Sequence, residues 1–194
     1  KRFGQMPEEL RGRLTEARHQ QIGILAGKAM EQGATYILVA GDVFDAESPS
    51  PPTRRQALQA MAAEPAITGV LMPGNHDSLV ADELWSTVKK ESPGNVLLAL
   101  EPTPVEVECG VYLLPAPCTT RRAGRDLTVW MDDAETPDGA VRIGLAHGPI
   151  RDFDEDGAGA SIIDPARAKR ARLDYLALGD WHGVTEVNER TWYS

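Results

Sequence analysis

Cysteine is scarce: the 194 residues hold two, Cys109 and Cys118. They form no C-x-x-C pair and no zinc-ligand spacing, which excludes a disulfide scaffold and a thiolate metal site and points to reduced thiols in a cytoplasmic chain. Long apolar runs are missing too. No stretch approaches the roughly 20 residues that a membrane helix needs, so no membrane association is expected. The basic pair Lys1-Arg2 is not followed by an apolar segment, so the start does not read as a secretory signal. Positive charge is in deficit, with Lys+Arg 20 against Asp+Glu 29 and a net charge of −9. Nucleic-acid binders usually carry the reverse balance, because phosphate contacts drive their affinity. A polyanionic substrate would therefore be drawn in by bound cations or by another domain.

What is present suits one globular domain over 1–194. Hydrophobic residues make up 42% and charged residues 25%, enough apolar material for a core, and no repeat, low-complexity tract or linker interrupts it. Residues 7–32 show apolar positions at helical spacing, Leu10, Leu14, Ala17, Ile22, Leu25 and Ala29, with Gly33 as the stop. Residues 53–63, 79–90, 126–135 and 165–172 are further helical stretches. Short apolar runs at 36–40, 67–72, 96–100, 105–108, 111–114, 141–146 and 175–178 read as strands, and 184–187 and 191–193 as edge strands. Glu108-Cys109-Gly110 reads as a hairpin turn. The order, β-α-β-α, then a β-rich stretch, then β-α-β, predicts an α/β sandwich. Arg167, Lys169, Arg170 and Arg172 read as a solvated helix face. The acidic stretch from Asp152 to Asp156 reads as a solvated loop, because it lacks calcium-loop spacing.

Polar residues of one chemical kind follow four of the apolar runs. They are Gly41-Asp42 with Asp45, Gly74-Asn75-His76-Asp77, His147-Gly148, and Gly179-Asp180-Trp181-His182. In open α/β sheets, ligands collect at the carboxyl ends of the strands, so these loops are expected to converge. Of the four histidines, only His19 lies elsewhere, and it reads as a surface or core-edge residue. Imidazole, carboxylate and amide oxygen without thiolate suit a divalent ion such as Mn²⁺, Fe or Zn²⁺. Two such ions roughly 3.5–4 Å apart can hold both oxygens of an in-line phosphoryl displacement and activate water. Glycines at strand ends allow sharp turns and close approach. Trp181, between two candidate ligands, reads as core packing, with a wall of the site or a base-stacking surface as the functional alternative.

The set resembles the calcineurin-like metallophosphoesterase superfamily. Gly41-Asp42-Val43-Phe44-Asp45 is similar to G-D-x-x-D, Gly74-Asn75-His76-Asp77 to G-N-H-D/E, His147-Gly148 to the lone-histidine motif, and Gly179-Asp180-Trp181-His182 to G-H/D-x-H. The longer strings VAGDVFDAESPSP and LDYLALGDWHG resemble the DNA-repair exonuclease branch, the SbcD-like nuclease subunits. The resemblance implies two mixed sheets flanked by helices and two divalent ions, Mn²⁺ first among them. It implies that Asp42 bridges the ions, that Asn75 and His147 bind the second, and that His182 binds the first. It gives Asp180 a ligand or outer-sphere place, and makes His76 the acid toward the leaving group, with Asp45 orienting its ring. The family's opening strand, which ends in D-x-H, has no counterpart before Asp42. The chain is therefore expected to be truncated at both ends and to lack its first strand. The implied activity is phosphodiester hydrolysis of DNA as an exonuclease, with an ATPase partner or a homodimer in prospect. The alternatives are a phosphatase or phosphodiesterase on small nucleotides or phosphoesters, and a metal-poor interaction domain.

Overall fold

A computed structural model describes residues 7–150 and 162–194. The acidic loop from Asp152 and the first residues, Lys1 to Gly4, lie outside the described residues, as does the side chain of His19.

Helix α1 (Glu8–Glu31) ends where the sequence predicts. Gly33 takes φ 72°, and its amide bonds back to Met30 while Ala34 N reaches Ala29 O. This is a Schellman termination, whose left-handed residue favours glycine. Strand β1 (Tyr36–Val39) follows. Helix α2 (Pro51–Ala62) begins two residues before the expected start, since Ser50 Oγ caps Thr53 N and the two prolines occupy N1 and N2. Those are the helical positions whose missing N–H does no harm. Strand β2 (Thr68–Leu71) leads to α3 (Asp82–Glu91), which carries Asp82 and Glu83 in its first turn and Lys89 and Lys90 in its last, complementing the helix dipole. Strand β3 (Val96–Leu98) completes a parallel three-stranded sheet of order β1-β2-β3.

Strands β4 (Val105–Glu108) and β5 (Val111–Ala116) form the expected hairpin, with Gly110 at φ 75°. With β6 (Val141–His147), β7 (Tyr175–Gly179), β8 (Thr185–Asn188) and β9 (Thr191–Tyr193) they build a six-stranded mixed sheet of order β4-β5-β6-β7-β9-β8. The architecture is thus α/β with two sheets flanked by helices, but only the larger sheet is mixed. Val70, Met72, Ala99, Leu113 and Leu145 pack together as the core between the two sheets. The Tyr36 hydroxyl also crosses from β1 to donate to the carbonyl of Val107 on β4. Among the described residues no helix is long and apolar enough to cross a membrane.

Three expectations need correction. Residues 126–135 form only a 3-10 turn at Val129–Asp132. Asp126 Oδ1 accepts from Thr128 N, and the buried Arg142 guanidinium takes the carbonyls of Met131 and Ala134, so local side chains hold the backbone groups a longer helix would use. Helix α4 is a single turn (Arg167–Arg170), ended by Arg172 at φ 52°. Its Arg167 does not sit on a solvated face. It is 2% exposed and ion-paired to Asp126 at 2.9 Å and Asp132 at 2.6 Å. Strand β9 is not an edge strand either. It lies between β7 and β8 with Thr191 and Tyr193 buried, because the β8–β9 hairpin folds its second strand inward onto Leu176 and Leu178.

Candidate metal centre at the strand ends

Four strands deliver the candidate residues to one edge of the sandwich. Gly41 and Asp42 follow β1, Asn75 follows β2, His147 ends β6 and Asp180 follows β7. His147 pairs with Gly179 in the parallel register of β6 and β7. The two sheets meet here through His147, whose Nδ1 lies 2.7 Å from the carbonyl oxygen of Ala40. A carbonyl can only accept, so Nδ1 is the protonated nitrogen. Nε2 then faces the other way, 3.6 Å from Asp42 Oδ1 and 3.7 Å from Asp180 Oδ1. Those separations are too long for hydrogen bonds.

Among the described residues, His147 Nε2 and Asn75 Oδ1 at this edge are buried with no hydrogen-bond partner. In a neutral ring Nε2 offers only a lone pair, and an amide oxygen is always an acceptor. Asn75 Nδ2 reaches Asp180 Oδ1 at 3.5 Å and the His76 amide holds Asp42 Oδ1, which leaves His147 Nε2 and Asn75 Oδ1 as buried atoms without a partner beside two carboxylates. Such a cluster is stabilised by a cation. The donor set is one imidazole nitrogen, one amide oxygen and two carboxylates, which is chemistry suited to Mn²⁺, Fe or Zn²⁺. The donor types therefore suit one divalent ion. The set is open. Among the described residues, no three or more His, Cys, Asp and Glu side chains group closely enough to hold a metal, so His147, Asp42 and Asp180 do not form a closed site as they stand. His182, which the resemblance places at the first ion, is exposed on the loop after β7.

The backbone reaches this geometry only with glycine at the contacts. A Cβ on Gly74 would fall 2.3 Å from both N and Oδ1 of Asp42, and one on Gly41, at φ +84°, would fall 2.4 Å from His147 Nδ1. Asp42 and Asp180 themselves hold φ 54° and 101°, conformations that cost a non-glycine residue about 1–3 kcal/mol each. That strain predicts a separable variant. Asp180→Gly is expected to raise the stability of the metal-free chain by about 1 kcal/mol, because glycine adopts the conformation freely. The same change removes a carboxylate from the cation site and lowers Mn²⁺ affinity. Denaturant titration without metal, with calorimetric Mn²⁺ titration beside it, checks both directions.

The remaining expected residues are placed as follows. The main-chain amide of His76 donates to Asp42 Oδ1 at 2.9 Å, while its side chain is exposed. Asp45 is half exposed and ion-paired to Arg18 at 3.1 Å. Trp181 is 52% exposed, so it is not a core residue, because the loop after β7 carries it out of the sandwich.

Several supporting residues were not assigned a role from sequence. Asp77 is fully buried and accepts from Phe44 N at 2.9 Å and Gly74 N at 2.7 Å. Burial, together with nearby Asp42, holds its carboxyl above the usual range against the pull of those two amides. Cys118 donates weakly to the carbonyl of His147. Burial first, then the carboxylates of Asp42, Asp77 and Asp180, push its thiol up to about 12, so it is no nucleophile. Tyr193 donates to Gly148 O at 2.8 Å, and burial raises its pKa. Asp77 was visible as the last letter of a motif. Nothing in the sequence marks Cys118 or Tyr193.

Over residues 16–184 the sequence matches the calcineurin-like phosphoesterase family. No curated protein matches it. Among solved structures, the Thermus thermophilus protein TT1561 aligns over 92% of this chain and 82% of its own, with a TM-score of 0.55 and 10% identity, a likeness of fold alone.

Proposed function

The chain belongs to the calcineurin-like phosphoesterase family, and from that premise we propose that it is a metal-dependent phosphodiesterase acting on nucleotide-bearing substrates, in particular nucleic-acid ends. The observation that carries the reading is that His147 Nε2 and Asn75 Oδ1 are buried without partners among the described residues, with Nε2 facing Asp42 and Asp180. A divalent ion held there supplies positive charge to a phosphoryl group and activates water. The chain's own part is to hold the His147 ring by its Nδ1–H on Ala40, so that Nε2 is free to bind, and to fix Asp42 through the His76 amide. The exposed His76 ring is assigned the proton for the departing oxygen, at the position its loop gives it beside Asp42.

Nucleobase recognition is supported by Trp181, half exposed between Asp180 and His182. Stacking of a base on an aromatic ring contributes about 1–3 kcal/mol. A small phosphoester substrate is the second reading, favoured by the net charge of −9, which repels a long polyanion. Mn²⁺-dependent turnover of bis(p-nitrophenyl) phosphate and of a single-stranded oligonucleotide tests both. Chelator-sensitive cleavage of the diester is expected. Trp181→Ala should raise KM for the oligonucleotide roughly 10-fold while leaving the small diester nearly unaffected. Oligonucleotide cleavage that is absent while small esters turn over would replace the first reading by the second, and no Mn²⁺-dependent cleavage of either would end both.

A further inference from the structure

We propose that Asp77 is the positioning residue of the centre, a two-oxygen clamp that sets the distance between the loop carrying Asp42 and the loop carrying Asn75. The assignment rests on the reading of Asp42 and Asn75 as cation donors.

The two loops exchange bonds reciprocally. Asp77, in the second loop, accepts from Phe44 N in the first at 2.9 Å. Asp42, in the first loop, accepts from His76 N in the second at 2.9 Å. Each loop thus lends a carboxylate to the other's main chain. The second oxygen of Asp77 turns back onto Gly74 N at 2.7 Å and closes its own loop. From outside, the buried Trp85 of α3 donates its indole N–H to the Asp77 carbonyl at 2.6 Å. Asn75 therefore lies between two residues, Gly74 and His76, whose amides are both spoken for.

A fully buried carboxylate is an unfavourable choice for mere packing, since burying charge is penalised heavily unless hydrogen bonds replace water. Its use here follows from the count of donors. Two main-chain N–H groups point at the side chain from two different loops, and a carboxylate accepts at both oxygens. Asparagine of the same shape offers one acceptor and sets an NH₂ against the other amide, leaving a buried donor facing a donor. The Gly74 contact leaves no slack, because a Cβ there would fall 2.3 Å from Asp42 Oδ1. A small slip of one loop therefore moves Asn75 Oδ1 relative to Asp42. Asp77 touches neither a substrate nor the proposed ion and acts only through the loops it joins.

The test compares Asp77→Asn with Ile67→Val, a mild core change at a buried residue just before β2, at the end of that strand opposite to the one that leads to Asn75. Mn²⁺ affinity is measured by calorimetry and thermal stability is measured in the absence of metal. Asp77→Asn is expected to weaken Mn²⁺ binding by roughly 10–100-fold, the range seen when an outer partner of a metal ligand is removed. Ile67→Val should lower stability with affinity held within about twofold. Equal effects of the two variants on affinity would overturn the proposal. Hydrogen exchange of the wild-type chain gives a second measurement that does not depend on either variant folding. The amides of Phe44 and Gly74 should be as protected as strand amides, and exchange at exposed-loop rates would also overturn it. A wild-type chain that binds no Mn²⁺ removes the parent reading, and this assignment falls with it.

Discussion

Replacing His147 by alanine is expected to weaken Mn²⁺ binding by at least about 100-fold, beyond the 10–100-fold typical of losing an outer partner, while the metal-free fold survives. The two halves of this result have different causes. The affinity loss follows from the position of Nε2, buried, without a hydrogen-bond partner, and 3.6 Å and 3.7 Å from the two carboxylates. Removing it leaves Asp42 and Asp180 without the imidazole nitrogen between them. The fold loses one bond, Nδ1–H to Ala40 O, worth about 1 kcal/mol net, plus packing around a ring that is 2% exposed. Other ties between the sheets remain, including Tyr36 to Val107 and the apolar cluster of Val70, Met72, Leu113 and Leu145. A thermal shift assay separates the two. Mn²⁺ at 100 times its dissociation constant should stabilise the wild-type chain by about 2.7 kcal/mol, and the variant should gain no more than about 0.4 kcal/mol at the same concentration. An equal gain in both chains would remove His147 from the centre and leave the open valences of Asn75 and Asp180 without a shared ligand.

How much of this was legible beforehand depends on whether the deciding force is local. Helix α1 was readable because its spacing and its Gly33 stop are properties of adjacent residues. The end of the sandwich where Asp42, Asn75, His147 and Asp180 gather was readable because each follows an apolar run, and parallel strands that share a sheet end on one side. Arg167 was misjudged because Lys169, Arg170 and Arg172 around it are ordinary surface residues. Its burial is set by Asp126 and Asp132, some 40 positions earlier in sequence, and no local pattern reports that. Strand β9 was misplaced for a related reason, since three residues, Thr191–Tyr193, do not reveal which of two neighbours in a hairpin turns inward. Trp181 looked like core on hydrophobicity alone, yet its flanking Asp180 and the turn at φ 101° carry it outward. Asp77 stands inside a motif, but its task is invisible there, because it joins two loops whose proximity is tertiary.

Gly179→Ala is expected to be the most disruptive single methyl group in the centre. Gly179 ends β7 and pairs with His147. A Cβ there would lie 1.9 Å from the Ala40 carbonyl oxygen, 3.0 Å from the carbon of the same group and 3.0 Å from His147 Nδ1. A methyl group fixed to the backbone has no rotamer by which to escape, and the atom it meets is backbone too. The end of β7 and the end of β1 must therefore move apart by more than an ångström. Ala40 O is also the acceptor that fixes the His147 ring, so the same movement that relieves the clash releases the imidazole. Overpacking of this kind costs about 1–3 kcal/mol, and the lost inter-sheet hydrogen bond adds about 1 kcal/mol. In a chain of this size each kcal/mol lowers the melting temperature by roughly 2–4 °C. Two other glycines serve as controls. Gly94 has nothing within 4 Å of its would-be Cβ, and Gly110 has open space but φ +75°. Gly94→Ala should be near neutral, Gly110→Ala should cost about 1 kcal/mol through backbone strain alone, and only Gly179→Ala should also weaken Mn²⁺ binding. A Gly179→Ala chain that melts and binds metal like Gly94→Ala would mean that the two sheets do not close on His147, and that the tautomer assigned to its ring has lost its physical basis.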